Sequence, residues 1–232
     1  VPSCEPNQMD YSEMNDDDVN ETETATKTKN KIKFINVNCR SLIGHNKRLE
    51  FEQLITTHNP DVVLAVETHL DPTISRNSIL NENYSDPPPH RKDRKLGEGG
   101  VMIAVKSGAI SVQCEDNCEC EIVWTKIAHE KGDVYAGCFY RQPSSGVEKL
   151  QELRQSLSDL HSKTRAPNIV LGGDFNLPDI NWENLSIKPN PQYGRLVNEK
   201  MIDIMKEFNL IQTVDKPTRG KNTLDLFFTK NP

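Results

Sequence analysis

Long apolar runs are scarce in this chain, and so are aromatic rings, which make up 6% of its 232 residues. The longest apolar stretches, such as VVLAV at 62–66, fall far short of the roughly 20 residues a membrane-crossing helix needs. No membrane partner is therefore expected. A basic start followed by an apolar run is missing, so no secretory leader is expected either. There is no P-loop lysine motif and no dinucleotide fingerprint, which removes the common nucleotide-cradling folds. The six cysteines, without a leader, point to a reducing compartment, nuclear and/or cytoplasmic. Three of them crowd into CEDNCEC at 114–120. No second Cys/His pair follows, so a polar hairpin loop with free thiols is the expected reading, ahead of a metal clamp.

Charge is unevenly spread. Residues 1–30 hold eight acids against Lys27 and Lys29, leaving −6, which is the net charge of the whole chain. That segment is poor in large apolar residues and is expected to be a disordered acidic tail. Residues 31–232 balance at zero and are expected to form one domain. Their neutrality gives no global electrostatic argument for a nucleic-acid partner, though a local basic face remains open.

From Lys31 the pattern becomes globular. KIKFINV, DVVLAV (61–66), GGVMIAV (99–105), EIVWTKIA (121–128), DVYAGCFY (133–140), NIVL (168–171), LIQTV and TLDLFFT (223–229) read as strands. Residues 45–58, 145–163 and 194–208 read as helices, the second through Val147, Leu150, Leu153, Leu157 and Leu160 at steps of three and four. Residues 71–98 and 177–193 read as loops, the first carrying the basic cluster HRKDRK at 90–95. Hairpins mixed with helical crossovers imply an α/β domain with helices outside the sheets.

Polar residues end the apolar strands: Asn38, Glu67, Tyr140 with Arg141, and Asp174 with Asn176. Asp225 interrupts the otherwise apolar TLDLFFT. Each alone is most simply a cap or turn former. Five strands each contributing one are harder to dismiss, because strand ends can converge rigidly on a cleft. A hard cation such as Mg²⁺ takes carboxylate and amide oxygens, which Glu67 and Asn38 would supply. A water attacking phosphorus needs a carboxylate, which suits Asp174. Charge on phosphoryl oxygens needs donors, which suits Asn176, Tyr140 and Arg141. The chemistry indicated is metal-assisted phosphodiester hydrolysis.

Taken in order, NVNCRSL (36–42), VETHL (66–70), GGVMIAV, FYRQP (139–143), GGDFNLPDINW and PTRGKNTLDLFFT resemble the endonuclease/exonuclease/phosphatase (DNase-I-like) family over about residues 31–230. Within it they resemble the endonuclease domain of LINE-type (non-LTR) retrotransposons. The resemblance implies a four-layered α/β sandwich, two packed mixed sheets flanked by helices, with the site at the strand ends. It implies Glu67 and Asn38 at the metal, Asn36 being a rival on the same strand face. It implies Tyr140 on the phosphate, Asp174 and Asn176 as the water-orienting and transition-state pair, and Asp225 orienting a catalytic histidine. The cofactor implied is Mg²⁺, with Mn²⁺ as a substitute. The partners implied are DNA and a reverse transcriptase domain. Substrate contacts are expected from Arg141 and from Arg91, Lys92 and Arg94 of HRKDRK, a solvated loop being the equal alternative for that cluster.

The family's terminal Ser-Asp-His strand has no counterpart before Pro232, and none of the six histidines follows Asp225. With Val1 in place of methionine, the expectation is a fragment lacking its last strand, with weak or absent activity. The alternatives are a non-catalytic relic and a host repair nuclease or phosphoesterase of the same fold.

Overall fold

The computed structural model describes residues 31–75, 78–95, 97–116 and 118–230. The expected acidic tail lies outside them. The first sheet has the order β1-β2-β4-β3, built from β1 (Phe34–Asn38), β2 (Val62–Val66), β3 (His90–Lys92) and β4 (Val101–Val105). Its β1 and β2 run parallel, joined across helix α1 (His45–His58); β4 is antiparallel to both β2 and β3.

The second sheet uses β5 (Ser111–Gln113), β6 (Glu121–Ile127), β7 (Val134–Tyr140), β8 (Asn168–Asp174), the short β11 (Ile211–Gln212) and β12 (Asp225–Lys230). Their order is β11-β12-β8-β7-β6-β5. The parallel pair β7 and β8 is connected through helix α2 (Glu148–Lys163), as a parallel pair requires a crossover. A small hairpin of β9 (Ile180–Asn181) and β10 (Ser186–Ile187) precedes helix α3 (Arg195–Phe208).

Alternation along the strands builds three apolar layers. Val62, Leu64, Val66, Val101, Ile103 and Val105 of the first sheet meet Val123, Ile127, Ala136 and Cys138 of the second. Val63, Ala65, Met102 and Ala104 point the other way, onto Phe51 and Ile55 of α1. Leu150, Leu153, Leu157 and Leu160 of α2, with Val197, Met201, Ile204, Met205 and Phe208 of α3, cover the outer face of the second sheet. The order of layers is helix, sheet, sheet, helices, which is the expected four-layered sandwich. Because β2 is covered on both faces, it reads as an unbroken apolar run. Among the described residues no helix is long and apolar enough to cross a membrane.

Several expectations need correction. The helical pattern of 45–58 suggests an apolar face through Leu49, Leu54 and Ile55, and that of 194–208 one that includes Leu196, but Leu49 and Leu196 are largely exposed, and Phe51 fills the inner face of α1 instead. The span 71–98 is not all loop: His90–Lys92 forms edge strand β3. The span 177–193 contains the β9–β10 hairpin. Strand β5 was not foreseen, and β8 runs through both glycines to Asp174.

That last difference gives the Gly-Gly pair a packing role inside the strand. A Cβ on Gly172 would lie 2.6 Å from Leu64 Cδ1 of the facing sheet. One on Gly173, at φ +146°, would lie 1.8 Å from the Phe139 carbonyl oxygen. The close approach is made by the protein's own neighbouring sheet and strand.

Candidate active site

Pairing places four polar residues in one row across the second sheet. Glu121 of β6 faces Tyr140 of β7, Tyr140 faces Asp174 of β8, and Asp174 faces Asp225 of β12. Residues opposite one another in a ladder point to the same face. Here that is the face toward the first sheet, because Gly172, two residues before Asp174, lies against Leu64. The first sheet supplies the other wall. Asn38 ends β1 beside the end of β2, and Glu67 follows directly.

The Asn38 amide joins the two walls. Asn38 Nδ2 donates to Glu67 Oε1 at 2.9 Å and to Asp174 Oδ2 at 2.9 Å, while its Oδ1 accepts from the Arg40 N–H at 3.1 Å. Asn36 lies elsewhere: its Nδ2 bridges to the Gly173 and Leu226 carbonyls at 3.3 Å each, tying the sheets together below the row. Geometry thus separates the two asparagines that the sequence left as rivals.

Asp174 is fully buried. Its Oδ1 accepts from the Asn176 N–H at 3.1 Å, and Arg219 donates to its Oδ2 at 3.1 Å. Burial, then the charge of Asp225, pushes its pKa up to about 6, against the opposing pull of Arg219 and the two hydrogen bonds. Burial also raises the Tyr140 phenol, helped by the charge of Glu67 and a hydrogen bond to it, and by Asp174 and Glu121. The phenol therefore stays protonated, a donor among carboxylates. Glu121 is held by the Gly100 N–H at 2.6 Å.

Backbone strain gathers at the same end. Arg40, Glu67, His69 and Asn176 adopt left-handed φ values of 47°, 52°, 58° and 50°. Such positions cost of order 1 kcal/mol or more each and collect where side chains must be aimed.

The expected basic contacts are mostly elsewhere. Arg141 is completely buried. It donates to the carbonyls of Asn176 (3.2 Å) and Ser145, and stacks over Tyr193. In return the Asn176 amide donates to the Arg141 carbonyl at 2.8 Å. Arg141 thus braces the loop behind Asp174 and does not face a substrate. Arg91 is buried against Asp93 at 2.8 Å and the Asp71 carbonyl. Lys92 holds the carbonyls of Cys118 and Cys120. Both are therefore part of the structure of β3 and not a phosphate-binding loop. Arg94 alone of that cluster sits near the row, 3.4 Å from Glu121.

Two residues of the site escaped the sequence reading. Glu121 was taken only as the start of a strand. Arg219 sits in PTRGKNTLDLFFT, a stretch that carried the resemblance without its arginine being singled out. A cleft of about 840 Å³ between the β9–β10 hairpin and residues 212–223 runs alongside but includes none of the row. The row itself lies at the strand ends, with Asp174 buried and Glu121, Tyr140 and Asp225 half-buried.

Residues 134–232 match the family model described as endonuclease-reverse transcriptase. Solved structures match over most of the chain. The endonuclease domain of TRAS1, a telomere-specific non-LTR retrotransposon, aligns at 16% identity and a TM-score of 0.60, covering 87% of this chain and 86% of that one. The chain has the DNase-I-like endonuclease fold. The AP endonuclease LMAP from Leishmania major shares it at 13% identity and a TM-score of 0.64, over 86% of this chain and 79% of its own. So does the 3'-5' exonuclease NExo from Neisseria meningitidis, at 16% identity and 0.57, over 86% and 87%. Among curated proteins no sequence match is found. The family resemblance read from the ordered motifs is borne out.

Proposed function

We propose that this chain is a metal-dependent endonuclease that hydrolyses DNA phosphodiester bonds, acting beside a reverse transcriptase of a non-LTR element. The observation that carries the reading is the row Tyr140–Asp174–Asp225 facing Asn38 and Glu67 across the two sheets. Support for the element context comes from the endonuclease-reverse transcriptase model and the likeness to the TRAS1 domain.

The donor set fits a hard divalent cation such as Mg²⁺ or Mn²⁺. Glu67, Asp174 and Asp225 gather at one strand end with Arg219 bonded to Asp174, and Asp225 Oδ1 is buried without a hydrogen-bond partner. Glu67 would hold the ion, with the Asn38 amide turned to present its oxygen. When bound, the ion would polarise a phosphoryl oxygen and offset the crowded negative charge.

The chain's own groups do the rest. Asp174, once ionised, orients a water and takes its proton. The protonated Tyr140 donates to a phosphoryl oxygen. Arg219 places a fixed positive charge where the phosphate charge builds. Asn176 keeps Asp174 aimed through its N–H and has one amide hydrogen left for the phosphate.

The test is nicking of supercoiled plasmid in Mg²⁺. Loss of nicking with EDTA and with Asp174→Ala is the expected result. Nicking that survives both would remove this site from the reaction. Plasmid retention without nicking would favour a binding relic, a reading that the unpartnered Asp225 oxygen also allows.

A further inference from the structure

Away from the strand-end row, the connection between β5 and β6 brings two thiols against helix α2. The ligand atoms of Cys118, Cys120 and Glu152 all lie within 4.8 Å of one another. We propose that Cys118, Cys120 and Glu152 form a binding site for a thiolate-seeking divalent cation of the zinc class, which clips this loop to α2.

The geometry is close to what such an ion needs. Zinc holds thiolate sulfur at about 2.3 Å and carboxylate oxygen at about 2.0–2.2 Å, so tetrahedral ligands stand roughly 3.5–3.8 Å apart. Side-chain rotation of about 1 Å closes the difference. Three protein ligands leave a fourth position for water. The Cys120 N–H already points at Cys118 Sγ, at 3.3 Å, a donor that favours the thiolate. The Cys118 thiol lies 3.6 Å from the Glu152 carbonyl, so the loop is docked on this turn of the helix.

Charge is also provided for. On loading, each thiol gives its proton to solvent, and its sulfur forms a bond to the ion. Two thiolates, one carboxylate and a divalent cation leave a single net negative charge. Lys92, bonded to the carbonyls of both cysteines, and Lys149, bonded to Glu152 at 2.9 and 3.1 Å, stand beside it. This explains why Lys92 is held inward and not offered to a substrate. The site lies on the opposite face of β6 from the row: Cys120 enters the core under α2, whereas Glu121 joins Tyr140. Fixing Cys120 therefore fixes the residue before Glu121.

Cobalt substitution reads the site directly. With the reduced chain, one equivalent of Co²⁺ should produce thiolate-to-metal charge-transfer absorption that Zn²⁺ displaces. The band should be lost in Cys118→Ser and in Cys120→Ser, weakened in Glu152→Gln, and kept in Glu67→Gln. Absence of the band, or its persistence in Cys120→Ser, would overturn the proposal. If the serine variants do not fold, alkylation of the unaltered chain decides. Zn²⁺ should protect the half-buried Cys118 but leave Cys114 reactive, and equal alkylation of Cys118 with and without Zn²⁺ refutes the site. Recovery of Cys118 and Cys120 as a disulfide from freshly reduced protein refutes it equally.

Discussion

Asp174 has two demands on it that conflict. It must be ionised to take a proton, yet it is buried beside Asp225 and its pKa is pushed up to about 6. The sign of the linkage follows. Because the folded value lies above the ordinary 3.8, the stability associated with this carboxyl is fully present below about pH 4 and is lost as pH rises through about 6. The loss amounts to at most roughly 3 kcal/mol. Urea unfolding in EDTA at a series of pH values should show that decline, and Asp174→Asn, which cannot titrate, should flatten it. The same variant should lower the nicking rate about 10²–10⁴-fold. Two arginines separate positioning from contact. Arg94→Ala should reduce the salt slope of DNA affinity by about one. Arg141→Ala should leave that slope unchanged, cost about 2–3 kcal/mol of stability through its lost charged hydrogen bonds, and lower kcat.

At the scale of elements, the end of β8 is where packing and site meet. Gly172 lets the sheets close, and Gly173 lets β7 and β8 pair without a clash. Gly172→Ala should destabilise by about 1–3 kcal/mol through overpacking. Adding Leu64→Val should recover part of that loss, a coupling that a double-mutant cycle in urea would measure. No such rescue is expected for Gly173→Ala, whose added carbon meets backbone and whose φ is left-handed. The Gly-Gly pair is thus required by sheet packing. HRKDRK is likewise claimed by the fold. A run of basic residues looks solvated until tertiary partners such as Asp93 and the Cys118 and Cys120 carbonyls turn the side chains inward.

Across the whole molecule, the candidate site is divided between the two sheets. Asn38 and Glu67 belong to one, and Tyr140, Asp174 and Asp225 to the other. Its geometry therefore depends on the apolar layer between them. Ile103→Ala, in that layer, should cost about 2–5 kcal/mol. Leu157→Ala, under α2, should cost a similar amount. Only the first should also reduce nicking at temperatures where both variants remain folded. Equal loss of activity in both would mean that the relation of the sheets does not set the site.

The sequence by itself determined the elements and the polar strand ends. Strand and helix periodicity are local, and a buried strand advertises itself by a continuous apolar run, so β2, β4, β6, β7 and the three helices could be read directly. Glu67, Tyr140 and Asp174 stood out because polar residues at the end of such runs have little local reason to be there. Tertiary structure alone decided which of these meet. The row needs β8 and β12 in register with the local β6–β7 hairpin, and no local pattern encodes register between strands far apart in sequence. It decided that Asn38 and not Asn36 bonds both Glu67 and Asp174, because two residues along a strand change depth without changing face. It brought Arg219 onto Asp174 across a gap of 45 residues. It also buried Arg141, whose charge looked like a substrate contact, because burial depends on what folds over a residue and not on the residue itself.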